Sequence, residues 1–354
     1  MSPIDVKKID RDEWLRSVFP EWGTWLNEEI EEQVVEPGKL AMWWLACTAV
    51  WMKTPGNTDI VVDWWAQRGK DTRVNPPYEV MKDHQIVRMT GSHARPPFIR
   101  VSPHVIDPFR VRKLDALLST HIHRDHICQF TAAAAVQNTD SLFIGPKMCG
   151  DMWAEWGVPE DRIVRVKPGD EVKVKDITIV AVESFDRTVL ITPPPTGDLR
   201  GKPIPDMDER AVNYVIKTPG ATVYHSGDSH AANGYLKHGR QHTIDVCFVS
   251  YGENGPGIMD KVNASDALRI AWSLNAKVLI PLHYDLWAAQ NADPNELVLL
   301  HDFNKHQMKF KLFIWKVGGR FLYPDDQDVG KYQYPKGTEK FLEEEPNIPF
   351  PSFL

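Results

Sequence analysis

One short segment near the middle of the chain constrains its fold and chemistry more than any other. Three histidines and one aspartate fall within six residues, as His121, His123, Asp125 and His126. Residues 114–120 have the apolar composition of a buried strand, and the alanine-rich run that follows indicates a helix. The cluster is therefore predicted at the exit of a strand, where a rigid backbone holds several side chains convergent.

The residue types in this cluster are those that bind zinc and manganese, through imidazole nitrogens and carboxylate oxygens. His121 and His123 alternate along an extended segment, so both can point the same way. Asp125 and His126 lie past the turn and can face a second position. The pattern predicts one or two adjacent metals that activate water as a nucleophile. The alternative is a histidine-rich surface loop, which the specific spacing disfavours.

Composition and charge disfavour a nucleic-acid-binding, a disulfide-rich or a membrane protein. A chain of 354 residues can bury a large core, and a net charge of −7 without a basic block disfavours a nucleic-acid partner. The four cysteines are scattered and predict neither a disulfide framework nor a zinc finger. Cys128 is close enough to His126 in sequence to approach the metal. No apolar run is long enough for a bilayer and no signal peptide is recognised, so we expect a cytoplasmic protein without membrane partners.

The cluster resembles the signature of the metallo-β-lactamase superfamily. In that superfamily the signature is followed by a lone histidine, a bridging aspartate and a last histidine. Asp228 resembles the bridging aspartate and His283 the last histidine. No histidine occurs between His126 and His225. In the segment where the lone histidine is expected, Glu183 and Asp186 are the candidate replacements.

The whole chain is similar to the L-ascorbate-6-phosphate lactonases of bacterial ascorbate utilisation. The matching segments run nearly end to end, at residues 19–22, 25–30, 41–45, 120–121, 185–188, 210–214, 225–230, 250–254 and 351–354. Two loops differ from the family. Residues 46–49 read Ala-Cys-Thr-Ala in place of Gly-Cys-Thr-Gly, and residues 66–70 read Ala-Gln-Arg-Gly-Lys in place of Cys-Gly-Thr-Gly-Lys.

The resemblance implies an α/β fold of the αββα type. Two mixed β-sheets would lie face to face with helices outside and the metals at one edge. It implies one metallo-β-lactamase-like domain over residues 1–354, with an N-terminal helical extension at 1–38 and a C-terminal tail at 325–354. It also implies a homo-oligomer, for which the family suggests a hexamer.

The activity that the resemblance implies is metal-dependent hydrolysis of a phosphorylated sugar lactone, L-ascorbate 6-phosphate, to 3-dehydro-L-gulonate 6-phosphate. His121, His123 and Asp228 would hold a first Mn²⁺ or Zn²⁺ ion, and Asp125, His126, Asp228 and His283 a second. An oxygen ligand from Glu183 or Asp186 would complete the first site and shift its preference from zinc toward manganese. Alternatively, the first site is incomplete and one metal binds.

Further residues take roles by the same resemblance. Asp125 or Asp228 would hold the nucleophile. The candidate substrate contacts come from the matching segments and are Arg187, Asn213, Tyr214, His225, His230 and Asn254. The polar loop over 193–208, which opens with three prolines, is interpreted as a lid, an oligomer arm or a plain connection.

Other functions fit the same fold, because fold does not determine function. A hydrolase of another lactone is one alternative. A phosphodiesterase or nuclease would need a basic groove, which the acidic composition disfavours. A redox protein or an inactive scaffold is the third class. Redox members usually carry glutamate in place of His123 and a fused flavin domain, and a scaffold would be expected to lose ligands.

Overall fold

The computed structural model describes residues 4–18, 25–70, 98–191, 206–252, 261–287 and 292–334. In chain order its strands are β1 (Leu40–Trp44), β2 (Val50–Lys53), β3 (Asp59–Val62), β4 (Gly69–Lys70), β5 (Phe98–Ile99), β6 (Ala116–Leu118), β7 (Leu142–Pro146), β8 (Ile163–Val166), β9 (Glu171–Val174), β10 (Ile177–Glu183), β11 (Val212–Lys217), β12 (Thr222–His225), β13 (Val246–Ser250), β14 (Val278–Leu282), β15 (Lys311–Leu312) and β16 (Arg320–Tyr323). The α-helices are α1 (Arg11–Val18), α2 (Trp25–Glu32), α3 (Gln129–Asn138), α4 (Lys147–Glu155), α5 (Thr188–Ile191), α6 (Met207–Arg210), α7 (Gly234–Gln241), α8 (Ala264–Ser273) and α9 (Asn295–Asn304).

The strands of the described segments form two seven-stranded sheets and one two-stranded antiparallel sheet, which consists of β4 and β5. The first sheet has the order β16-β1-β2-β3-β6-β7-β8, and the second has the order β15-β14-β13-β12-β11-β10-β9. In the first, β3, β6, β7 and β8 are parallel and the rest antiparallel. In the second, β12 to β15 are parallel and β9 to β12 antiparallel. Both sheets are therefore mixed, as the sequence predicts.

The two sheets share one core. β1, β6, β13 and β14 are buried along their whole length, as near-continuous apolar strands are when both sheet faces are covered. Tyr214 on β11 crosses from one sheet to the other, where its hydroxyl donates to the Ser119 carbonyl at 2.8 Å. At the same edge, Val212 N donates to Thr120 O at 2.9 Å. These bonds fix the exit of β6 against the second sheet and confirm the sandwich.

The helices cover the sheets, and their bounds follow from local signals in the sequence. The Asn263 side chain accepts from Asp266 N at 2.8 Å and caps α8, which buries its apolar face, including Leu268 and Ile270. The helix predicted after the histidine cluster is α3, and the strand predicted before it is the shorter β6. Within the described segments no helix has both the length and the apolar character needed to cross a membrane. Nearly all of the 193–208 loop lies outside the described residues.

The turn between β1 and β2 has an unusual backbone. Ala46 and Cys47 both adopt positive φ values, of 82° and 55°. A side chain in this left-handed region costs roughly 1–2 kcal/mol, because its Cβ approaches the carbonyl oxygen. The turn is held by hydrogen bonds from Leu45 N to Ala49 O and from Ala49 N to Ala46 O. The chain therefore carries a strained turn at a position where the related lactonases tend to have glycine.

We expect Ala46→Gly to stabilise the protein and Ala49→Gly to destabilise it. Glycine relieves the strain at Ala46. It also makes the unfolded chain more flexible, which lowers the free energy of unfolding by about 0.4–1 kcal/mol and leaves a net stabilisation of up to about 1 kcal/mol. Ala49 is buried and its φ is not positive, so the same substitution there brings only the entropic loss and a lost methyl contact. Urea unfolding of both variants checks this. Equal destabilisation by the two would contradict the interpretation of strain at Ala46.

Candidate metal centre

Strand ends from both sheets bring the predicted ligands to one edge of the sandwich. The four residues of the histidine cluster follow β6, Asp228 follows β12, His283 follows β14 and Asp186 follows β10. Because the carboxyl ends of parallel strands lie at the same edge of a sheet, residues distant in the chain meet there. Gly227 makes the approach close: its φ is 49°, and a Cβ there would lie 2.6 Å from Thr120 Oγ1.

One group of ligand atoms surrounds the first predicted position. Atoms of His121, His123 and Asp228 all lie within 4.8 Å of one another. His121 Nε2 is 2.9 Å from His123 Nδ1 and 3.7 Å from Asp186 Oδ2. Asp186 therefore lies where the missing histidine ligand is expected, and it can supply an oxygen to this position.

A second group lies beside the first. Atoms of Cys47, Asp125, His126 and His283 are within 4.8 Å of one another. His283 Nε2 is 3.3 Å from Asp125 Oδ2, and His126 Nε2 is 3.7 Å from the same oxygen. Asp228 Oδ2 is 3.2 Å from His126 Nε2 and 3.7 Å from His283 Nε2. Asp228 thus contacts both groups, as a bridging ligand does.

Two buried oxygens indicate that the residues fit a divalent cation. In the part of the chain that the structure describes, neither Asp186 Oδ2 nor Asp228 Oδ1 has a hydrogen-bond partner. Their residues are only 1% and 4% exposed. An unpaired buried carboxylate oxygen is costly, and a divalent cation bound by its carboxylate would satisfy it. The donor set of imidazoles, carboxylates and one thiol therefore fits a divalent metal.

The charge states of Asp228 and His121 suit metal binding. Burial alone would raise the pKa of the Asp228 carboxyl, but Lys261, His126 and His283 together hold it well below its usual range. Burial, reinforced by the neighbouring His126 and His123, holds the pKa of His121 well below its usual value. The carboxylate is therefore ionised and the imidazole neutral, which are the forms that bind metals. At the second group burial lowers the pKa of His283, but Cys47 and Asp228 outweigh burial and raise the pKa to about 10, so a metal there must displace its proton.

Asp63, which the sequence analysis missed, supports the site from behind. Its Oδ2 accepts from the hydroxyls of Thr48 and Thr120 at 2.9 and 2.7 Å and lies 2.9 Å from His126 Nδ1. Its Oδ1 accepts from Thr120 N at 2.7 Å. A carboxylate in this place keeps the proton on Nδ1, so that Nε2 is free to bind a metal. Asp63 follows β3 and reaches the site through the pairing of β3 with β6, which no local spacing in the sequence indicates.

We expect Asp63→Asn to weaken metal binding by about 10–100-fold, the usual cost of removing such a supporting group. The amide would present an N–H to His126 Nδ1 and favour the wrong tautomer. Asp107→Asn is the matched control, because Asp107 is equally buried but bonds Arg11 and Phe109 N elsewhere. Competition with a chelator measures the affinity. Equal affinities in the two variants would rule out this role of Asp63.

Glu183, the other candidate for the missing ligand, is not part of the cluster. Its carboxylate pairs with Lys237 and lies 2.9 Å from His238 Nε2, and its side chain is 39% exposed. Burial raises the pKa of Glu183, but Lys237 and His238 lower it to about 2. The carboxylate is therefore ionised, and its charge is already paired with these two side chains. Of the two candidates, the structure brings only Asp186 to the ligands.

Three of the candidate substrate contacts are structural instead. Asn213 is fully buried, with Nδ2 donating to Tyr224 Oη at 2.9 Å and Oδ1 accepting from Ser229 Oγ at 2.8 Å. Tyr214 bonds across the sheets in the core. His225 is fully buried, with Nε2 2.8 Å from Thr48 O and Nδ1 accepting from Gly227 N. These side chains are held by the scaffold and are not open to a substrate.

The other three candidates have different outcomes. His230 lies beside the Asp186 segment, with Nδ1 3.3 Å from Phe185 O, and Arg187 is exposed next to it. Both stay predicted substrate contacts. Asn254 lies outside the described residues.

Two further residues of the centre escaped the sequence analysis. Cys47, not Cys128, is the cysteine at the ligands; Cys128 is buried at the start of α3 and belongs to neither group. The available signal was that Cys47 is shared between this chain and the lactonase pattern of the 46–49 loop. Lys261 donates to Asp228 Oδ2 and is 4% exposed. Nothing in the local sequence around Lys261 indicates this contact.

Comparison with known proteins agrees with the fold and the site. The model of the β-lactamase superfamily domain matches residues 91–284. A protein of Escherichia fergusonii described as a probable L-ascorbate-6-phosphate lactonase is 53% identical over 99% of both chains. A protein of Escherichia coli with the same description is 52% identical over the same share.

Solved structures give the fold independently. A metallo hydrolase of the archaeon Ignicoccus hospitalis superposes with a TM-score of 0.54 at 16% identity, covering 80% of this chain and 98% of its own. Identity this low supports the fold alone. The two closely similar relatives match over 99% of this chain and 99% of their own length. The chain therefore belongs to the L-ascorbate-6-phosphate lactonase family of the metallo-β-lactamase superfamily.

Proposed function

We propose that the protein is a metal-dependent lactonase that hydrolyses L-ascorbate 6-phosphate to 3-dehydro-L-gulonate 6-phosphate. The observation that carries the proposal is the pair of ligand groups bridged by Asp228 at the sandwich edge. The substrate rests on relatives that share about half of all residues with this chain over its whole length.

Different residues of the chain would bind the metals and orient the attacking water. His121, His123, Asp186 and Asp228 would hold one metal, and Asp125, His126 and His283 would hold a second together with Asp228. A bound divalent metal supplies a water of lowered pKa and polarises the lactone carbonyl. Asp125 keeps a side-chain exposure of 16%, against 2% for Asp228. Asp125 is therefore the carboxylate that can accept a hydrogen bond from the attacking water and orient it.

The reaction balances as a simple addition of water. The water oxygen bonds to the carbonyl carbon, the ring C–O bond breaks, and the leaving alkoxide takes a proton. Arg187 and His230 stay the candidates for the substrate phosphate, because Arg187 is exposed beside Asp186 and its backbone N lies 3.4 Å from His230 Nδ1. A guanidinium matches a phosphate in both charge and geometry.

The donor types support a proposal for the identity of the metal. The carboxylate of Asp186 in place of imidazole makes the first position richer in oxygen, which favours Mn²⁺ over Zn²⁺ there. We also propose, from the family resemblance, a cytoplasmic homo-oligomer, for which the family suggests a hexamer, with a small phosphorylated lactone as its partner. Four free cysteines are consistent with a reducing compartment.

The test is an assay of acid release by pH-stat with L-ascorbate 6-phosphate. Metal-free protein is refilled with manganese or zinc, and the His123→Ala and His306→Ala variants are treated in the same way. His306 is exposed and remote from the ligands, which makes it the matched control. We expect metal-dependent turnover that is lost in His123→Ala and kept in His306→Ala. A metal-loaded protein without turnover would refute this substrate.

A further inference from the structure

Cys47 is the one member of the second ligand group to which the superfamily signature gives no role. It is 1% exposed and lies in the β1–β2 turn, about 80 residues before the histidine cluster in the chain. Its Sγ is 3.4 Å from His283 Nε2, 4.0 Å from His126 Nε2 and 3.9 Å from Asp125 Oδ2. The sulfur thus faces the ligand atom of every other member of the group.

The backbone fixes Cys47 against the site. His283 N donates to Cys47 O at 3.1 Å, and Trp44 Nε1 donates to the same carbonyl at 2.9 Å. Cys47 and His283 both have positive φ values, of 55° and 73°. Strain of this kind persists where the surrounding structure over-determines a residue, and it concentrates at functional sites. Two strained residues joined by a hydrogen bond therefore present their donor atoms to one point.

A second observation points to a ligand at this place. Asp228 contacts His126 and His283 of this group through Oδ2, and its other oxygen, Oδ1, is buried without a hydrogen-bond partner in the described residues, so the carboxylate that joins the two groups keeps an unsatisfied acceptor. The simple alternative for Cys47 is a buried thiol that donates to the Asp125 carbonyl, whose oxygen is 3.3 Å away. That bond accounts for the thiol proton, but not for the convergence of three other ligand atoms on the sulfur.

We propose that Cys47 is a thiolate ligand of the second metal position, so that the two positions prefer different metals. The proposal deepens the proposed function, since it concerns the same metal pair. The first position has two imidazoles and two carboxylates and suits a hard ion such as Mn²⁺. A thiolate is a soft ligand and selects Zn²⁺ or Co²⁺ at the second position. The protein would then hold a mixed pair of ions.

The test uses cobalt(II) as a spectroscopic probe in the metal-free full-length protein. A cobalt–thiolate bond gives an intense near-ultraviolet charge-transfer band, which imidazole and carboxylate ligands do not give. We expect this band to grow with added Co²⁺ and to be missing in Cys47→Ser. It should persist in Cys128→Ser, the matched control, because Cys128 is equally buried but outside both ligand groups.

Metal affinity gives a second readout. Cys47→Ser should weaken Zn²⁺ binding by about tenfold or more. Removing a residue that only supports a metal ligand already costs that much affinity, and the loss of a ligand itself should cost at least as much. Mn²⁺ binding should be unchanged, because the thiol does not belong to the first group. Equal losses for the two ions would overturn the proposed difference between the positions.

X-ray absorption of the zinc-loaded, unsubstituted protein keeps the proposal testable if the variant does not fold. One sulfur neighbour at about 2.3 Å is expected. Nitrogen and oxygen neighbours alone would overturn the assignment. None of these readouts requires turnover, so failure here is distinct from failure of the lactonase assay, which depends on the substrate.

Discussion

Asp228→Ala is expected to lower kcat/KM by about 10³-fold or more, equivalent to about 4 kcal/mol of transition-state stabilisation. The reason is that Asp228 belongs to one ligand group and contacts two imidazoles of the other. Its removal weakens both metal positions together, whereas loss of any other ligand affects one. We expect metal content and activity to fall in parallel, as measured by elemental analysis and by the pH-stat assay.

The alanine variant also removes the partner of a buried lysine. Lys261 donates to Asp228 Oδ2, and breaking a buried ion pair on one side costs on the order of 3–5 kcal/mol. Asp228→Asn separates the two effects, because it keeps the side-chain shape and an oxygen that Lys261 can use. A folded Asp228→Asn protein with normal metal content and activity would contradict the bridging role.

The part of the site that sequence could predict is the part with local spacing. His121 to His126 lie within six residues just past the end of β6, so their short spacing alone keeps them at one place. Asp228, His283 and the sandwich were predicted from family resemblance. The structure brings the two residues together because β12 and β14 run parallel and end at one edge of the sheet.

The rest depends on which side chains the folded backbone turns inward. Glu183 and Asp186 are only three residues apart. Glu183 is the last residue of β10, and its carboxylate contacts His238 of α7 on the outside of the sheet. Asp186 lies past the strand, and its carboxylate faces His121. No periodicity applies once the strand has ended. Segments shared with the family also include scaffold residues, which is why Asn213 and Tyr214 were mistaken for substrate contacts.

Long-range contacts explain the remaining misses. Cys47 reaches the site only because the β1–β2 turn lies over the end of β14, where His283 N bonds Cys47 O. Asp63 reaches it because β3 pairs with β6. Neither pairing is readable from spacing, since both join residues far apart in the chain.

Asp186→Asn is expected to reduce kcat/KM by about 10²-fold, equivalent to about 2.7 kcal/mol, and to weaken the first metal position. The amide keeps the oxygen that accepts from Thr188 N and Thr188 Oγ1, at 2.9 and 2.5 Å, so the start of α5 is preserved. It removes the negative charge from the buried Oδ2 that faces His121. Steady-state kinetics and manganese titration measure the two losses.

Glu183→Gln is the matched control for Asp186→Asn, because it is the same acid-to-amide change at the other candidate position. We expect activity within about threefold of the unsubstituted protein, since Glu183 is a partly exposed pair with Lys237 and His238 and such pairs contribute little. Asp186→His then tests the donor type. An imidazole restores the ligand usual in the superfamily, so preference should move from manganese toward zinc. Loss of activity in Glu183→Gln with full activity in Asp186→Asn would reverse the assignment of the third ligand.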